Sequence, residues 1–186
     1  MKATLPFHNH VVAAVFALFF GMGAAGAQTP ALDALFDELQ TADAQAAARI
    51  EREIWTEWSK SGSPAMDLLL QRGRDAIDAG DLPAAIEHFT ALTDHAPEFA
   101  EGWNARATAY FMVGEVGPSI NDIARTLSLN PRHFGALSGL GMIFEQLDQP
   151  EKALEVYKAA LAIHPQLQGV IDSIERLEAE TAGQDL

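Results

Sequence analysis

The sequence predicts an all-α protein in which helix–turn–helix units repeat and stack side by side. Three prolines, Pro97, Pro131 and Pro165, follow one another at intervals of 34 residues. Before each proline, large and small apolar residues recur at the spacing of two successive amphipathic helices. Because one such unit cannot bury its own apolar face, neighbouring units have to stack into a continuous solenoid.

Three units share one register, at residues 66–99, 100–133 and 134–167. Each unit has seven places at which the residue type or its size recurs. The first unit holds Leu69, Arg72, Gly73, Ala76, Ala85, Phe89 and Pro97 at these places. The second unit holds Trp103, Arg106, Ala107, Tyr110, Ser119, Ile123 and Pro131. The third unit holds Leu137, Leu140, Gly141, Phe144, Ala153, Tyr157 and Pro165.

This pattern resembles the tetratricopeptide repeat family. That family places a large aromatic residue, Leu-Gly and Tyr on the first helix of a unit, Ala and an aromatic residue on the second, and Pro at the end. The resemblance implies a right-handed solenoid whose concave face is lined by the first helix of each unit. It also implies a role in binding a protein or a peptide.

Small residues recur where the two helices of a unit cross, at Gly73, Ala107 and Gly141. Glycine inside a helix costs about 1 kcal/mol relative to alanine, so these positions indicate a close helix contact. The turn after each first helix holds Gly80, Gly114 or Asp148. A left-handed residue commonly ends a helix at such a place, and Asp tolerates that conformation less well than Gly.

Residues 1–27 have the pattern of a secretory signal peptide. Lys2 gives a positive start, residues 11–20 are an unbroken apolar run, and small residues precede a cleavage point before Gln28. An uncleaved membrane anchor is the alternative, but the run is shorter than the roughly 20 residues that span a bilayer. We expect an exported, periplasmic protein, with secretion as the second choice and no stable membrane insertion after cleavage.

Residues 28–62 predict an N-terminal helical cap of two amphipathic helices, the second capped by Asp43. The pair is about one repeat long, so we interpret it as a degenerate repeat that covers the N-terminal end of the solenoid. Trp55 and Trp58 are expected to pack on the first unit; if exposed, they would mark a partner surface. The stretch 49–58 also resembles exported tetratricopeptide proteins of proteobacteria.

The repeat domain is predicted at residues 63–186, and it closes with a capping helix at residues 168–180. Val170, Ile174 and Leu177 lie on one face of that helix at helical spacing. Such a helix is expected to cover the last apolar face of the stack.

No catalytic, cofactor or metal site is predicted. The chain contains no cysteine, which excludes a thiol nucleophile and a zinc–thiolate site. His88 and His95 lie seven residues apart without the further ligands that a metal pair needs. Gly135, Gly139 and Gly141 follow no strand, so they do not form a phosphate-binding loop. We therefore expect a protein that is not an enzyme.

The charge of the chain is strongly acidic, with 12 basic and 26 acidic side chains and a net charge of −14. Such a surface repels nucleic acid and anionic membranes, and it favours a basic partner. No nucleic-acid partner is therefore expected.

The family's concave face maps onto two kinds of residue in this sequence. The hydrogen-bonding residues are Arg74, Asn104, Thr108 and Ser138. The apolar residues are Leu70, Phe111 and Met142. Only Arg74 is cationic among them, so capture of two carboxylates, as in chaperone cofactors, is not predicted. The leading hypothesis is a non-catalytic adaptor for a protein or peptide in the cell envelope. The alternative is a self-associating structural subunit of an envelope assembly, and hence a homo-oligomer.

Overall fold

The structure is a computed structural model that describes residues 30–184, with side chains through residue 180. The described residues form nine α-helices and no strand. The helices are α1 Pro30–Leu39, α2 Ala44–Trp58, α3 Pro64–Asp78, α4 Leu82–His95, α5 Ala100–Met112, α6 Val116–Leu129, α7 Phe134–Gln146, α8 Pro150–Ile163 and α9 Gln168–Gln184. The all-α prediction is confirmed for this part of the chain. The predicted signal peptide, residues 1–27, lies outside the described residues.

Helices α3 to α8 form three helical hairpins that stack in chain order. The turn inside each hairpin contains a left-handed residue, with φ of 75° at Gly80, 82° at Gly114 and 55° at Asp148. Asp148 is the unfavourable case, because its Cβ approaches the following carbonyl oxygen in this conformation. Within the described residues, no helix is both long and apolar enough to cross a membrane.

The three repeats use two different pairings of small and large residues where their two helices cross. A Cβ placed on Gly73 would lie 2.2 Å from Cε1 of Phe89, and one on Gly141 would lie 2.2 Å from Cε1 of Tyr157. Both rings are almost completely buried. In the second repeat Ala107 takes the glycine position and Ile123 takes the aromatic position. The smaller Ile123 leaves room for the extra methyl group of Ala107.

The stack ends in α9, as predicted for a capping helix. Val170, Ile174 and Leu177 of α9 pack on Ala153 and Tyr157 of α8. All five side chains are buried.

The N-terminal hairpin α1–α2 lies elsewhere than predicted. Its apolar side chains form a cluster with Phe134, and partly buried Ile163 and Leu167 pack against that cluster. These three residues belong to the third repeat or the turn after it, not to the first. Trp55 likewise packs on Phe134 rather than on the first repeat.

The first and second repeats differ at the face that would meet a preceding unit. Arg106 of the second repeat reaches back to the buried hydroxyl of Thr93 in the first repeat, 2.9 Å away. Arg72 occupies the same repeat position in the first unit and is exposed. The apolar cluster of the N-terminal hairpin contains no residue of the first repeat among the described residues. The third repeat offers an aromatic ring and two aliphatic side chains instead.

Candidate partner-binding groove

The concave face is built from α3, α5 and α7, the first helices of the three repeats, and from α9. Helix α9 begins 34 residues after α7, so it takes the place of the first helix of a fourth repeat. The face has a covered half and an open half. The covered half contains Glu101, His133 and Gly135. The open half contains Phe111, Ser138, Met142, Glu145, Ser173 and Arg176.

The covered half lies under the two tryptophans of α2. Gly135 contacts the indole of Trp55, and a Cβ on Gly135 would lie 2.7 Å from Cη2 of that ring. The ring of Trp58 stacks on His133, with centroids 4.2 Å apart and planes 18° apart. His133 has no measurable exposure beneath the two tryptophans.

Glu101 joins the covered half through hydrogen bonds. Its carboxylate is 3% exposed and accepts from Arg74 at 2.6 Å and from Asn104 at 3.2 Å. Nδ1 of His133 accepts from the backbone N–H of Ala136 at 3.0 Å, so Nε2 carries the ring proton. Nε2 then donates to Glu101 at 3.0 Å. A buried carboxylate requires this degree of compensation, because burial strips it of its hydration.

The open half forms a cavity of about 590 Å³ between α5, α7 and α9. Its wall includes Phe111, Ser138 and Met142 from the repeats and Val170 and Arg176 from α9. The Met142 side chain is 51% exposed, although it is apolar. Within the cavity it is joined by Phe111 and Val170, and a concave site with several apolar side chains and a few polar groups is the usual form of a binding pocket.

One wall of this cavity is set by an ion pair and a tyrosine. Tyr157 donates a hydrogen bond to Glu145 at 2.6 Å, and Arg176 binds the other carboxylate oxygen of Glu145. Burial raises the pKa of Tyr157 above its usual value, and the bond to Glu145 raises it further. The hydrogen bond to Glu145 raises the pKa of Arg176, so its charge persists. The charges of Glu145 and Arg176 thus compensate each other at the cavity wall.

The structure brings three of the seven predicted contact residues together. Phe111, Ser138 and Met142 line the same cavity. Leu70 is 1% exposed and belongs to the core between the first and second repeats, so it cannot receive a side chain of a partner. Thr108 is exposed, and its hydroxyl donates to the Asn104 carbonyl.

Arg74 and Asn104, the remaining predicted contact residues, both bind Glu101. Arg74 also donates to the hydroxyl of Ser59, in the segment that links the N-terminal hairpin to the repeats, at 3.0 Å. These two side chains therefore hold the covered half together.

The sequence prediction missed the contribution of α9 to the cavity. Gly169, Ser173 and Arg176 line the cavity, but α9 was interpreted only as a cap. A signal for two of them was present. Adding 34 to the concave positions Gly135 and Met142 gives Gly169 and Arg176. In the described part of the chain, no group of three or more His, Asp or Glu side chains could hold a metal ion.

The fold and the groove define a stacked helical-hairpin protein, and comparison with known sequences identifies its family. The profile of the tetratricopeptide repeat matches residues 70–117 and 119–167. A TPR repeat-containing protein of Rhizobium etli is 35% identical over 153 residues, which cover 82% of this chain and 75% of that protein. The chain therefore belongs to the tetratricopeptide repeat family.

Further similarities extend over the repeats. Hsp70-Hsp90 organizing protein 1 of Glycine max is 24% identical over 106 residues, or 57% of this chain but only 18% of that protein. The crystal structure of MamA aligns with a TM-score of 0.60 at 23% identity, over 80% of this chain and 85% of that chain. The first TPR of Spaghetti, solved with an HSP90 peptide, aligns with a TM-score of 0.60 at 22% identity. The alignment covers 63% of this chain and 95% of that chain. At these identities the two structures show the fold.

Proposed function

We propose that this protein is a non-catalytic adaptor of the cell envelope that binds a protein or peptide segment in the open half of its groove. The observation that carries the proposal is the cavity of about 590 Å³ whose wall includes Phe111, Ser138 and Met142. Three residues that the repeat register predicts for partner contact thus lie in one concave site.

The chemistry of the cavity fits a peptide with an apolar anchor. Met142 and Phe111 offer a soft apolar surface, and methionine adapts its shape to different side chains. Ser138 and Arg176 supply polar groups at the same site, which can orient the backbone of a bound segment. The Spaghetti domain, which was solved with an HSP90 peptide, supports peptide binding by this fold.

A single charge in the cavity tests this function. Met142→Glu should weaken capture of partners from an envelope extract at least about tenfold, because an apolar contact is replaced by a carboxylate that loses hydration. Leu68→Glu is the matched control. Leu68 is 50% exposed and lies outside the cavity, so capture should not change. Equal capture by wild type and Met142→Glu would contradict the site.

The same experiment separates the alternative function. Recovery of only further copies of this chain would favour a self-associating structural subunit, and size-exclusion chromatography with light scattering would then give the copy number. Arg74 is not a suitable test residue, because its charge compensates the buried carboxylate of Glu101. Its replacement would disturb the fold as well as the groove.

The envelope location rests on the signal-peptide pattern of residues 1–27. N-terminal sequencing of the protein from a periplasmic fraction is expected to begin at Gln28. Recovery from the cytoplasm with Met1 in place would contradict export.

A further inference from the structure

The N-terminal hairpin occupies the covered half in the manner of a bound ligand. Helix α2 presents Trp55 and Trp58, three residues apart, to the concave face. Gly135 leaves a shelf on α7 that the indole of Trp55 fills, since any Cβ there would lie 2.7 Å from the ring. A helix that inserts anchor side chains into a groove is a common mode of peptide recognition.

The turn between α1 and α2 is held by polar contacts at the end of α8, and it lies beside a buried histidine whose ring makes no hydrogen bond within the described chain. The side chain of Gln40 donates to the carbonyl of Ile163 at 2.8 Å, at the end of α8. His164, next along the chain, is 1% exposed, and neither of its ring nitrogens has a hydrogen-bond partner among the described residues. Glu51 of α2 lies 3.4 Å from its Nε2.

The hairpin can leave the groove without losing most of its own core. Its buried cluster contains Leu32, Phe36, Leu39, Ala47, Ile50, Ile54 and Trp58. Among the described residues, Phe134 is the only buried member that comes from the repeats. Residues 59–63 connect the hairpin to α3, and Gly62 in this link has a φ of 82°. Glycine moves between left-handed and right-handed conformations without a steric penalty, so the link suits a hinge.

From these contacts we infer that the α1–α2 hairpin is a displaceable cover of the groove, and that a helical partner segment with two aromatic residues three apart takes its place. The inference rests on the proposed function, because it concerns the regulation of the same groove. Displacement exposes the Gly135 shelf, the ring of His133 and the Phe134 ring together. It thereby extends the open half into a longer groove.

The probe for this inference is a fluorescent peptide of residues 44–60, which carries both tryptophans of α2. In the whole protein, Gln40→Ala with Trp55→Ala removes two contacts of the hairpin and leaves the accepting surface unchanged. This release variant should bind the peptide at least about tenfold more tightly than wild type, because the accessible fraction of the site increases. Fluorescence anisotropy measures both affinities. A peptide that carries Trp55→Ala should bind the release variant no more tightly than it binds wild type.

Gly135→Leu in the whole protein is the matched control, because it releases the hairpin but fills the shelf. The chain contains no cysteine, so Arg52→Cys and Glu155→Cys can each carry a nitroxide spin label. Pulsed EPR then measures the distance between the two labels, which increases when the hairpin is released. Gly135→Leu should show release without tighter peptide binding. Equal peptide affinity of wild type and the release variant, or no binding to either, would overturn the cover.

These outcomes separate the cover from the proposed function, because the peptide assay needs no natural partner. If the release variant binds the peptide but Met142→Glu still captures partners as wild type does, the cover stands and the proposed binding site fails. If the release variant does not bind the peptide more tightly and Met142→Glu loses its partners, the proposed binding site stands and the cover fails.

Discussion

Tyr157 connects the third repeat to the cavity, and its ionisation is linked to folding. Burial and the 2.6 Å bond to Glu145 raise its pKa, so the folded protein keeps the phenol protonated after an unfolded chain would lose the proton. An unfolded tyrosine has a pKa of about 10. The stabilising contribution is complete below that pH and is lost as the pH rises above it.

We therefore expect Tyr157→Phe to flatten the decline of stability between about pH 9.5 and pH 11. Urea denaturation at several pH values measures the slope, which for one such group approaches about 1.4 kcal/mol per pH unit. Tyr110→Phe is the control, since Tyr110 is the only other tyrosine of the chain. It is half-buried, and the hydrogen bond to Glu145 is made by Tyr157 instead. The same slope in wild type and Tyr157→Phe would contradict the linkage.

The fate of single residues shows how far the register alone could predict the site. It placed Phe111, Ser138 and Met142 on the concave face, and they line one cavity. It placed Leu70 there too, yet Leu70 is buried. Periodicity assigns a side chain to a face of its helix, but it does not say which neighbouring side chain will cover it. The burial of Glu101 under His133 depends on a contact between α5 and the residue that caps α7, 32 residues apart in the chain, which no local pattern encodes.

At the scale of the helix pair, the repeats use two different solutions for the same crossing. The first and third repeats pair a glycine with a large ring, Gly73 with Phe89 and Gly141 with Tyr157. The second repeat pairs the methyl group of Ala107 with the smaller side chain of Ile123. The summed volume is therefore similar, as expected for an interior packed to crystal-like density.

A double-mutant cycle tests this complementarity. Gly73→Ala should destabilise the protein by about 1–2 kcal/mol despite its better helix propensity, because the new Cβ overlaps the ring of Phe89. Phe89→Ile alone should leave a cavity. The double variant reproduces the second repeat, so it should be more stable than the sum of the single changes predicts, with a coupling of at least about 1 kcal/mol. Strict additivity in urea denaturation would refute the packing model.

The sequence predicted that the N-terminal hairpin forms, but it did not predict where the hairpin packs. Asp43 caps α2 as expected, with its carboxylate accepting from the Ala46 backbone N–H at 2.9 Å. The helical periodicity therefore sufficed for both helices. It could not give the direction in which residues 59–63 lead, nor show that the Gly135 shelf would receive Trp55.

Over the whole molecule, stability should be distributed unevenly between the hairpin and the repeats. Repeat stacking gives each unit of the solenoid a neighbour, and each of two buried apolar clusters combines side chains from two adjacent repeats. The buried apolar cluster of the hairpin instead includes one residue from the described part of the repeats, Phe134, and the hairpin also contacts the buried rings of His133 and His164. Local opening free energies follow the number of such buried contacts, so α1–α2 should open without global unfolding.

Hydrogen exchange with mass spectrometry measures this difference directly. Backbone amides of α1 and α2 should exchange faster than those of α4 and α6, and Gln40→Ala should speed exchange further in the hairpin alone. The reason is that Gln40 binds the Ile163 carbonyl across the interface, so its loss affects docking and not the stacking of the repeats. Gln71→Ala is the control, because Gln71 bonds only to Asp75 of its own helix among the contacts described, and it should leave hairpin exchange unchanged. Uniform exchange throughout α1–α8, with Gln40→Ala accelerating every helix equally, would mean that hairpin and repeats unfold as one cooperative unit, and the hairpin could not then open by itself.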